Sequence, residues 1–231
     1  MPDTVVLASG GINSLVVAVR ARPEGSVSLL HVDYGQPSAA GQRAAVRAQA
    51  EAIGAACFMV EFPQVPKIAA VRRSASGRLS TDPRNAPPIG PVAQVPALAA
   101  GLLSSAVQLA FRVGAEVVQS GASEHANEIE TESAPGGGTP DHRREFFYLS
   151  NLMFEQLQRS RTPIRIDAPL IDLSRGEIIK LGHRDQAPFD LTYSCRAARD
   201  AACGECPSCI ARARAFAEAK LSDPALAGTR D

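Results

Sequence analysis

The chain has 231 residues, 45% of them hydrophobic, which is enough to bury one full core or a main domain with a small appendage. Its 24 lysines and arginines balance its 24 aspartates and glutamates, so no overall charge would attract nucleic acid or an anionic membrane. Since there is no apolar run of about eighteen residues and no basic leader with a cleavage site, we expect a cytoplasmic protein whose partner is a small molecule.

A glycine-rich loop joins the first predicted strand, residues 4–8, to the first predicted helix, residues 14–20. It consists of Ala8, Ser9, Gly10, Gly11, Ile12, Asn13 and Ser14. Adjacent glycines can adopt positive φ and approach a ligand, and the Ser and Asn side chains add hydrogen-bonding groups beside the free N–H groups of the helix start. The loop is either a phosphate-binding site or an ordinary tight turn, and it matches neither Walker A nor G-x-G-x-x-G.

The apolar run 27–32 predicts a second parallel strand, which ends at Asp33-Tyr34-Gly35-Gln36. Ligands bind at the carboxyl ends of the strands in an open α/β sheet, so residues 33–36 should lie near the glycine-rich loop. Alanine-rich residues 42–53 predict a helix that Gly54 ends, and residues 57–60 predict a third strand. Cys57 is expected to be a small buried residue of that strand.

Residues 62–96 have seven prolines and no periodicity, which predicts an irregular insertion or lid. Its arginines either contact phosphate or lie in solvent: Arg72, Arg73, Arg78 and Arg84. Residues 97–113 predict a helix and residues 116–120 a fourth strand. The acidic loop that follows, with Glu124, Glu128, Glu130, Glu132 and Gly136–Gly138, fits a solvated crossover and a ligand-binding loop equally well.

The next predicted helix covers residues 145–158. Its predicted core side chains follow the helical period: Phe146, Leu149, Met153 and Leu157. Residues 164–168 predict a fifth strand. A capping box of Ser174 and Glu177 then begins a helix that should end near Gly182.

Four of the five cysteines lie within fifteen residues, separated by seven, two and two residues. They are Cys195, Cys203, Cys206 and Cys209. Four thiolates satisfy a closed tetrahedral zinc site, and the ion would stabilise a segment too short to fold alone. A redox dithiol does not need four cysteines, whereas an iron–sulfur cluster remains a second possibility.

These motifs together resemble a known family. The glycine-rich loop is similar to the S-G-G-x-D-S loop of the PP-loop ATP pyrophosphatases, with Asn13 in place of the aspartate, and residues 33–36 resemble that family's D/H-Y-G-Q stretch. Residues 139–146 resemble the Y-P-D-C-R-P-E-F stretch of the 7-cyano-7-deazaguanine synthases, and residues 191–216 resemble their T-W-S-C and C-G-x-C-x-x-C-x-x-R-x-x-x-F stretches. Where those synthases carry V-P-G-R-N, this chain has Leu98 and Ala99 in place of the arginine and asparagine.

The resemblance implies an α/β fold: a Rossmann-like, doubly wound sheet of about five parallel strands with helices on both faces, plus a small C-terminal zinc-binding knot. Residues 1–182 would form the nucleotide-binding domain and residues 183–231 the zinc-binding subdomain. The resemblance also implies a zinc-containing ligase that uses ATP with Mg²⁺ to adenylate a 7-deazapurine carboxylate for attack by ammonia or another amine.

The resemblance assigns roles to particular residues. ATP would be bound by Ala8, Ser9, Gly10, Gly11, Asn13, Ser14, Asp33 and Gly35, with Asn13 and Ser14 as catalytic residues. The deazapurine would be bound by Glu124, Asp141, Arg143, Glu145 and Phe146. Because Asn13 carries no negative charge, a catalytically weakened homologue that binds a deazapurine, alone or beside a partner protein, is the main alternative. A tRNA-modifying PP-loop enzyme is a further one, and a homodimer is possible.

Overall fold

The computed structural model describes residues 2–62, 72–73, 79–80, 97–125, 142–158, 163–196 and 202–224. The strands are β1 Thr4–Leu7, β2 Val27–Asp33, β3 Ala56–Glu61, β4 Arg72–Arg73, β5 Leu79–Ser80, β6 Val117–Gln119 and β7 Arg165–Asp167. The α-helices are α1 Ile12–Ala21, α2 Ala39–Ile53, α3 Leu98–Val113, α4 Arg144–Leu157, α5 Arg175–Arg184 and α6 Pro207–Ala219. Short 3₁₀ turns cover Arg22–Glu24 and Phe189–Leu191.

Five parallel strands form one sheet in the order β3-β2-β1-β6-β7, and β4 and β5 form a separate antiparallel pair. Strand β1 is central, with Thr4 opposite Val27 of β2 and Val117 of β6. The chain builds the sheet outward from β1 in one direction through β3, then returns to the other side of β1 with β6. Such a reversal of strand order leaves a crevice at the carboxyl ends of the two strands concerned.

Side chains of the sheet alternate between two buried clusters, one on each face. Val6 and Leu29 belong to the cluster that includes residues of α1, α2, α5 and α6. Val5 and Leu30 belong to the cluster formed with α3 and α4. Helices therefore cover both faces, which confirms the prediction of a doubly wound parallel sheet.

Helix α5 begins where the sequence predicts. The Ser174 side chain accepts a hydrogen bond from the Glu177 backbone N–H, and the Glu177 carboxylate accepts one from the Ser174 N–H at 2.8 Å. The helix ends at Arg184, two residues beyond Gly182, near which its end was predicted. A methyl group at Gly182 would lie 2.6 Å from both the Phe189 ring and the Val16 side chain. This glycine therefore permits close packing inside the helix and does not end it.

Two predictions of burial are wrong. Helix α4 buries Phe147, Ser150 and Phe154, whereas the predicted core side chains of Leu149, Met153 and Leu157 are 44–70% exposed. The helix is apolar on neighbouring faces, so its sequence period did not decide which face meets the sheet. Cys57 is exposed because it lies on β3, at the edge of the sheet.

Several predicted features lie outside the described residues: most of the insertion 62–96, including Arg78 and Arg84, and the acidic loop from Glu128 to Gly138. Within the described ranges, none of the helices has the length and apolar character that crossing a membrane requires.

Candidate functional site

A cavity of about 330 Å³ opens at the carboxyl ends of β1, β2 and β6, at the reversal of strand order. The glycine-rich loop and the end of β2 contribute Ala8, Ser9, Asn13, Ser14, Tyr34 and Gln36. The start of α3 contributes Leu98, Ala99, Leu102 and Leu103, and the region of α4 contributes His142, Phe146 and Phe147. Polar backbone and hydroxyl groups therefore line one end of the cavity, and aliphatic and aromatic side chains line much of the rest.

The glycine-rich loop is tightly packed against α2. Gly10 has φ of +75°, and a methyl group there would lie 2.9 Å from the Gln42 carbonyl oxygen. Both features require glycine. Gly11 is the N-cap of α1 without a side-chain cap, so the helix begins with free N–H groups beside the hydroxyl groups of Ser9 and Ser14. The arrangement suits an anion.

Asn13 ties this loop to the neighbouring strand. Its Nδ2 atom donates to the Gly121 carbonyl oxygen at 2.9 Å, just beyond the end of β6. The two segments are in close contact, since a methyl group at Gly121 would lie 2.8 Å from the Ser14 backbone nitrogen. With one N–H of its amide engaged, Asn13 can offer a ligand its Oδ1 atom and its second N–H, but no negative charge.

Residues 33–36 follow β2 at the same edge of the sheet as the loop, as their position in the sequence suggests. Asp33 accepts a hydrogen bond from the Gly35 N–H at 2.9 Å and forms an ion pair with Arg43 of α2. Gly35 has φ of +86°. Tyr34 and Gln36 line the cavity, whereas Asp33 and Gly35 shape the turn behind it.

His31 is a buried residue of the cavity region that sequence reasoning missed. It is 1% exposed, and its Nδ1 lies 3.0 Å from the Ala8 carbonyl oxygen, which requires the proton on Nδ1. The Nε2 atom is buried and has no hydrogen-bond partner among the described residues. Burial lowers the pKa of His31 below its ordinary value of 6.5, so the side chain is neutral at pH 7.

The predicted deazapurine-binding residues are only partly brought to the cavity. Phe146 lines it, and its ring packs edge-on against Phe147 with the centroids 5.4 Å apart. Glu124 accepts a hydrogen bond from the Arg144 N–H at 2.7 Å, which fixes the start of α4. Arg143 and Glu145 are exposed in the same turn, and Asp141 lies outside the described residues.

The four clustered cysteines converge in space. Their sulfur atoms all lie within 4.8 Å of one another, and those of Cys203 and Cys209 are 3.9 Å apart. A tetrahedral site with zinc–sulfur bonds of about 2.3 Å has edges of about 3.8 Å, so the four side chains fit one such ion. Backbone N–H groups, that of Cys206 above all, lower the pKa of the Cys203 thiol to about 6, which favours the thiolate that a metal binds.

Comparison with known proteins agrees with this geometry. The sequence model of the family described as queuosine biosynthesis protein QueC matches residues 3–220. The chain belongs to the QueC family.

QueC-family relatives match along nearly the whole chain. The 7-cyano-7-deazaguanine synthase of Koribacter versatilis is 38% identical, over 95% of this chain and 91% of its own. The proteins of that name from Acidobacterium capsulatum and Methanothrix thermoacetophila are each 34% identical, over 95% and 97% of this chain and 94% and 98% of their own. A solved structure described as a predicted tRNA methyltransferase subunit from Methanocaldococcus jannaschii aligns over 80% of this chain and 75% of its own. The TM-score is 0.38 and the sequence identity is 12%, which is too little similarity to inform function.

Within this QueC-family chain, sequence reasoning missed cavity residues of two kinds. Tyr34 and Gln36 line the cavity, whereas the predicted site residues Asp33 and Gly35 of the same motif are not among its lining residues. His31, Gln42 and Phe147 had no motif to mark them, since their place at the cavity depends on which face of β2, α2 or α4 meets it.

Proposed function

We propose that this chain is an ATP-dependent carbon–nitrogen ligase of the 7-cyano-7-deazaguanine synthase type. The observation that carries the proposal is the match to synthases of that name along 95% of the chain at up to 38% identity. The geometry supports it, because one cavity joins a helix start suited to a polyphosphate with apolar and aromatic walls suited to flat rings.

The reaction activates a carboxylate that an amine cannot attack directly. A carboxylate oxygen of 7-carboxy-7-deazaguanine attacks the α-phosphorus of ATP, and pyrophosphate leaves. Ammonia then attacks the carbonyl carbon, AMP leaves with the activated oxygen, and the lost proton passes to solvent, which gives the amide. A second ATP adenylates the amide oxygen with release of pyrophosphate. AMP then leaves with that oxygen, both N–H protons of the amide pass to solvent, and the nitrile is formed.

Chain residues have distinct roles in this proposal. The N–H groups at the start of α1 and the hydroxyls of Ser9 and Ser14 hold the polyphosphate, with Gly10 and Gly11 giving the backbone its close approach. Asn13 contributes its Oδ1 atom, and Asp33 with Gly35 shapes the neighbouring turn. Mg²⁺, when bound, would shield the phosphate charge and make pyrophosphate a better leaving group. The Phe146 ring lies against the deazapurine, and Glu124, Asp141, Arg143 and Glu145 bind its polar edge.

We propose zinc as the ion held by Cys195, Cys203, Cys206 and Cys209. Four sulfur ligands leave no position for a catalytic water, so the ion is structural. An iron–sulfur cluster is the alternative that metal analysis and the visible absorption spectrum distinguish. In this proposal residues 1–182 bind the nucleotide and residues 183–231 carry the zinc.

A second candidate function is a binding subunit without turnover. The observation that favours it is the polar end of the cavity, where Asn13 is neutral and tied to Gly121 and where the nearby Leu98 and Ala99 carry no polar group. Such a protein would bind a deazapurine with little affinity for Mg·ATP.

One experiment separates the two. The zinc-loaded chain is incubated with Mg·ATP, ammonia and 7-carboxy-7-deazaguanine, and the products are measured by mass spectrometry. The ligase predicts AMP, pyrophosphate and the amide or nitrile. Absence of AMP, combined with deazapurine binding by calorimetry, would support the binding subunit instead, and so would turnover that appears only in Asn13→Asp.

We also propose the compartment, the class of substrate and the association state of the protein. We expect a cytoplasmic protein acting on small molecules rather than on tRNA. A homodimer or a partner protein would cover the exposed apolar side chains of α4: Tyr148, Leu149, Leu152, Met153 and Leu157. Sedimentation of the chain alone tests the homodimer, since a monomer would leave only a partner protein to cover them.

A further inference from the structure

One buried amide connects the glycine-rich loop to the segment that leads into the cysteines. Gln49 of α2 is 1% exposed, and its Nε2 atom donates to the Gly10 carbonyl oxygen at 2.9 Å and to the Leu191 carbonyl oxygen at 3.1 Å. The Tyr193 backbone N–H donates to the same Gly10 oxygen at 2.8 Å. The Gly10 carbonyl therefore accepts two hydrogen bonds. One comes directly from Tyr193, and the other comes from the Gln49 amide, which also donates to Leu191.

Residues 189–195 are in turn held by α6, which carries Cys209 and begins after Cys206. Arg212 of α6 is 5% exposed and donates to the Thr192 hydroxyl at 2.6 Å and to the Phe189 carbonyl at 3.2 Å. Contacts thus run without a break from the cysteine cluster through Arg212, residues 189–195 and Gln49 to Gly10.

Tyr193 also fixes this segment against the start of α2. A methyl group at Gly41 would lie 2.6 Å from the Tyr193 ring, so the ring rests directly on the helix backbone. The segment is therefore packed between α2 and α6, and it has little room to move independently of either. A displacement of residues 189–195 would be transmitted to the loop, because interiors packed this closely pass on a shift and do not absorb it.

A displacement of Gly10 would change the position of the N–H groups at the start of α1. The positive φ of Gly10 sets the direction of the N–H groups that follow it at the start of α1. Two hydrogen bonds to its carbonyl oxygen fix that peptide.

We propose that Gln49 is a positioning residue that couples the four-cysteine metal site to the nucleotide loop, so that metal binding and polyphosphate binding strengthen each other. This inference rests on the proposed zinc and ATP sites. Coupling of two binding equilibria is reciprocal: if zinc improves nucleotide binding by some factor, nucleotide must improve zinc binding by the same factor.

The test uses the zinc-loaded full chain and Mg²⁺ with α,β-methylene-ATP, which cannot be cleaved between its α- and β-phosphates. Gln49→Leu removes the donor shared by two buried carbonyls, and we expect about tenfold weaker binding of the analogue by calorimetry. The matched control is Asn151→Leu on α4, which also removes a side-chain amide that donates to two carbonyls, those of Phe147 and Ile166, but on the other face of the sheet. It should bind the analogue like the wild type.

A second measurement has a wild-type comparison that does not depend on any variant folding. The affinity for zinc is measured by competition with a chelator at equilibrium, with and without the analogue. We expect the analogue to tighten zinc binding several-fold in the wild type, and also in Asn151→Leu, but not in Gln49→Leu.

Gln49→Glu adds a readout that a merely structural role would not change. An ionised carboxylate would face two carbonyl oxygens, whereas a protonated one can donate its single O–H to one of them, so analogue binding by this variant should improve relative to wild type as pH falls.

The coupling is refuted if the wild type binds the analogue but holds zinc with the same affinity with and without it, or if Gln49→Leu binds the analogue as tightly as Asn151→Leu does. Failure of the wild type itself to bind the analogue would overturn the proposed ATP site together with this inference. The two failures are thereby distinguished.

Discussion

The hydrogen bond between Asn13 and Gly121 predicts that Asn13→Asp lowers the stability of the protein. At pH 7 a carboxylate at this position cannot donate to the Gly121 carbonyl, and two oxygen atoms would face each other across the present 2.9 Å contact. A lost hydrogen bond combined with an acceptor left unpaired lowers the free energy of unfolding by about 2 kcal/mol. For a chain of this length that corresponds to a fall in Tm of roughly 4–8 °C.

The loss of unfolding free energy in Asn13→Asp should depend on pH in a defined direction. Because the carbonyl disfavours the ionised form, the pKa of the new carboxyl group is raised in the folded variant above the ordinary value of about 3.9. A raised folded-state pKa contributes stability below the unfolded pKa and loses it as pH rises through the folded pKa. The stability gap to wild type should therefore be widest near neutrality and narrow as pH falls toward about 4.

The assay is urea unfolding of the zinc-loaded chain at a series of pH values, with Asn13→Ala as the matched control. Alanine removes the same donor from the same acceptor without adding a charge, so its loss of stability should also be about 2 kcal/mol but should not vary with pH relative to wild type. An aspartate variant as stable as wild type at pH 7, or one whose deficit is unchanged across the series, would show that Asn13 does not hold Gly121 as described.

Three further predictions concern other parts of the site. Gly121→Ala would place a methyl group 2.8 Å from the backbone nitrogen of Ser14, so binding of the Mg²⁺ complex of α,β-methylene-ATP should fall at least about tenfold by calorimetry. Gly101→Ala is the control, because a methyl group there meets open space, and this variant should bind the analogue normally. Arg212→Met removes the ion-pair partner of the buried Asp223 carboxylate and should cost about 3–5 kcal/mol in urea unfolding, with recovery when Asp223 is also replaced by leucine. Burial lowers the pKa of His31 in the folded chain, so wild type should lose up to about 1.4 kcal/mol of stability per pH unit just below pH 6.5, and the non-titrating His31→Gln should lack that part of the slope.

Local signals predicted much of the fold. Hydrophobic runs located the five strands of the sheet, and the Ser174–Glu177 capping box located the start of α5, because capping depends on residues three positions apart. Gly182 was misjudged for the opposite reason. A glycine near a helix end often marks a C-cap, but here it admits the ring of Phe189, a contact between separate elements that no local pattern contains.

The candidate site divides in the same way. The glycine-rich loop was recognised because its adjacent glycines and short polar side chains are consecutive in the sequence. His31 and Gln49 were not, because burial and orientation gave them their contacts with Ala8 and Gly10.

By itself the sequence determined the family, the doubly wound sheet and the grouping of four cysteines, since each depends on the order and spacing of residues along the chain. The tertiary structure alone decided that α4 buries Phe147 and Phe154, that Asn13 is tied to Gly121, and that Gln49 joins the loop to the cysteine-bearing segment. Those contacts span up to 142 positions of sequence, and packing selects them from many side chains of equal local propensity.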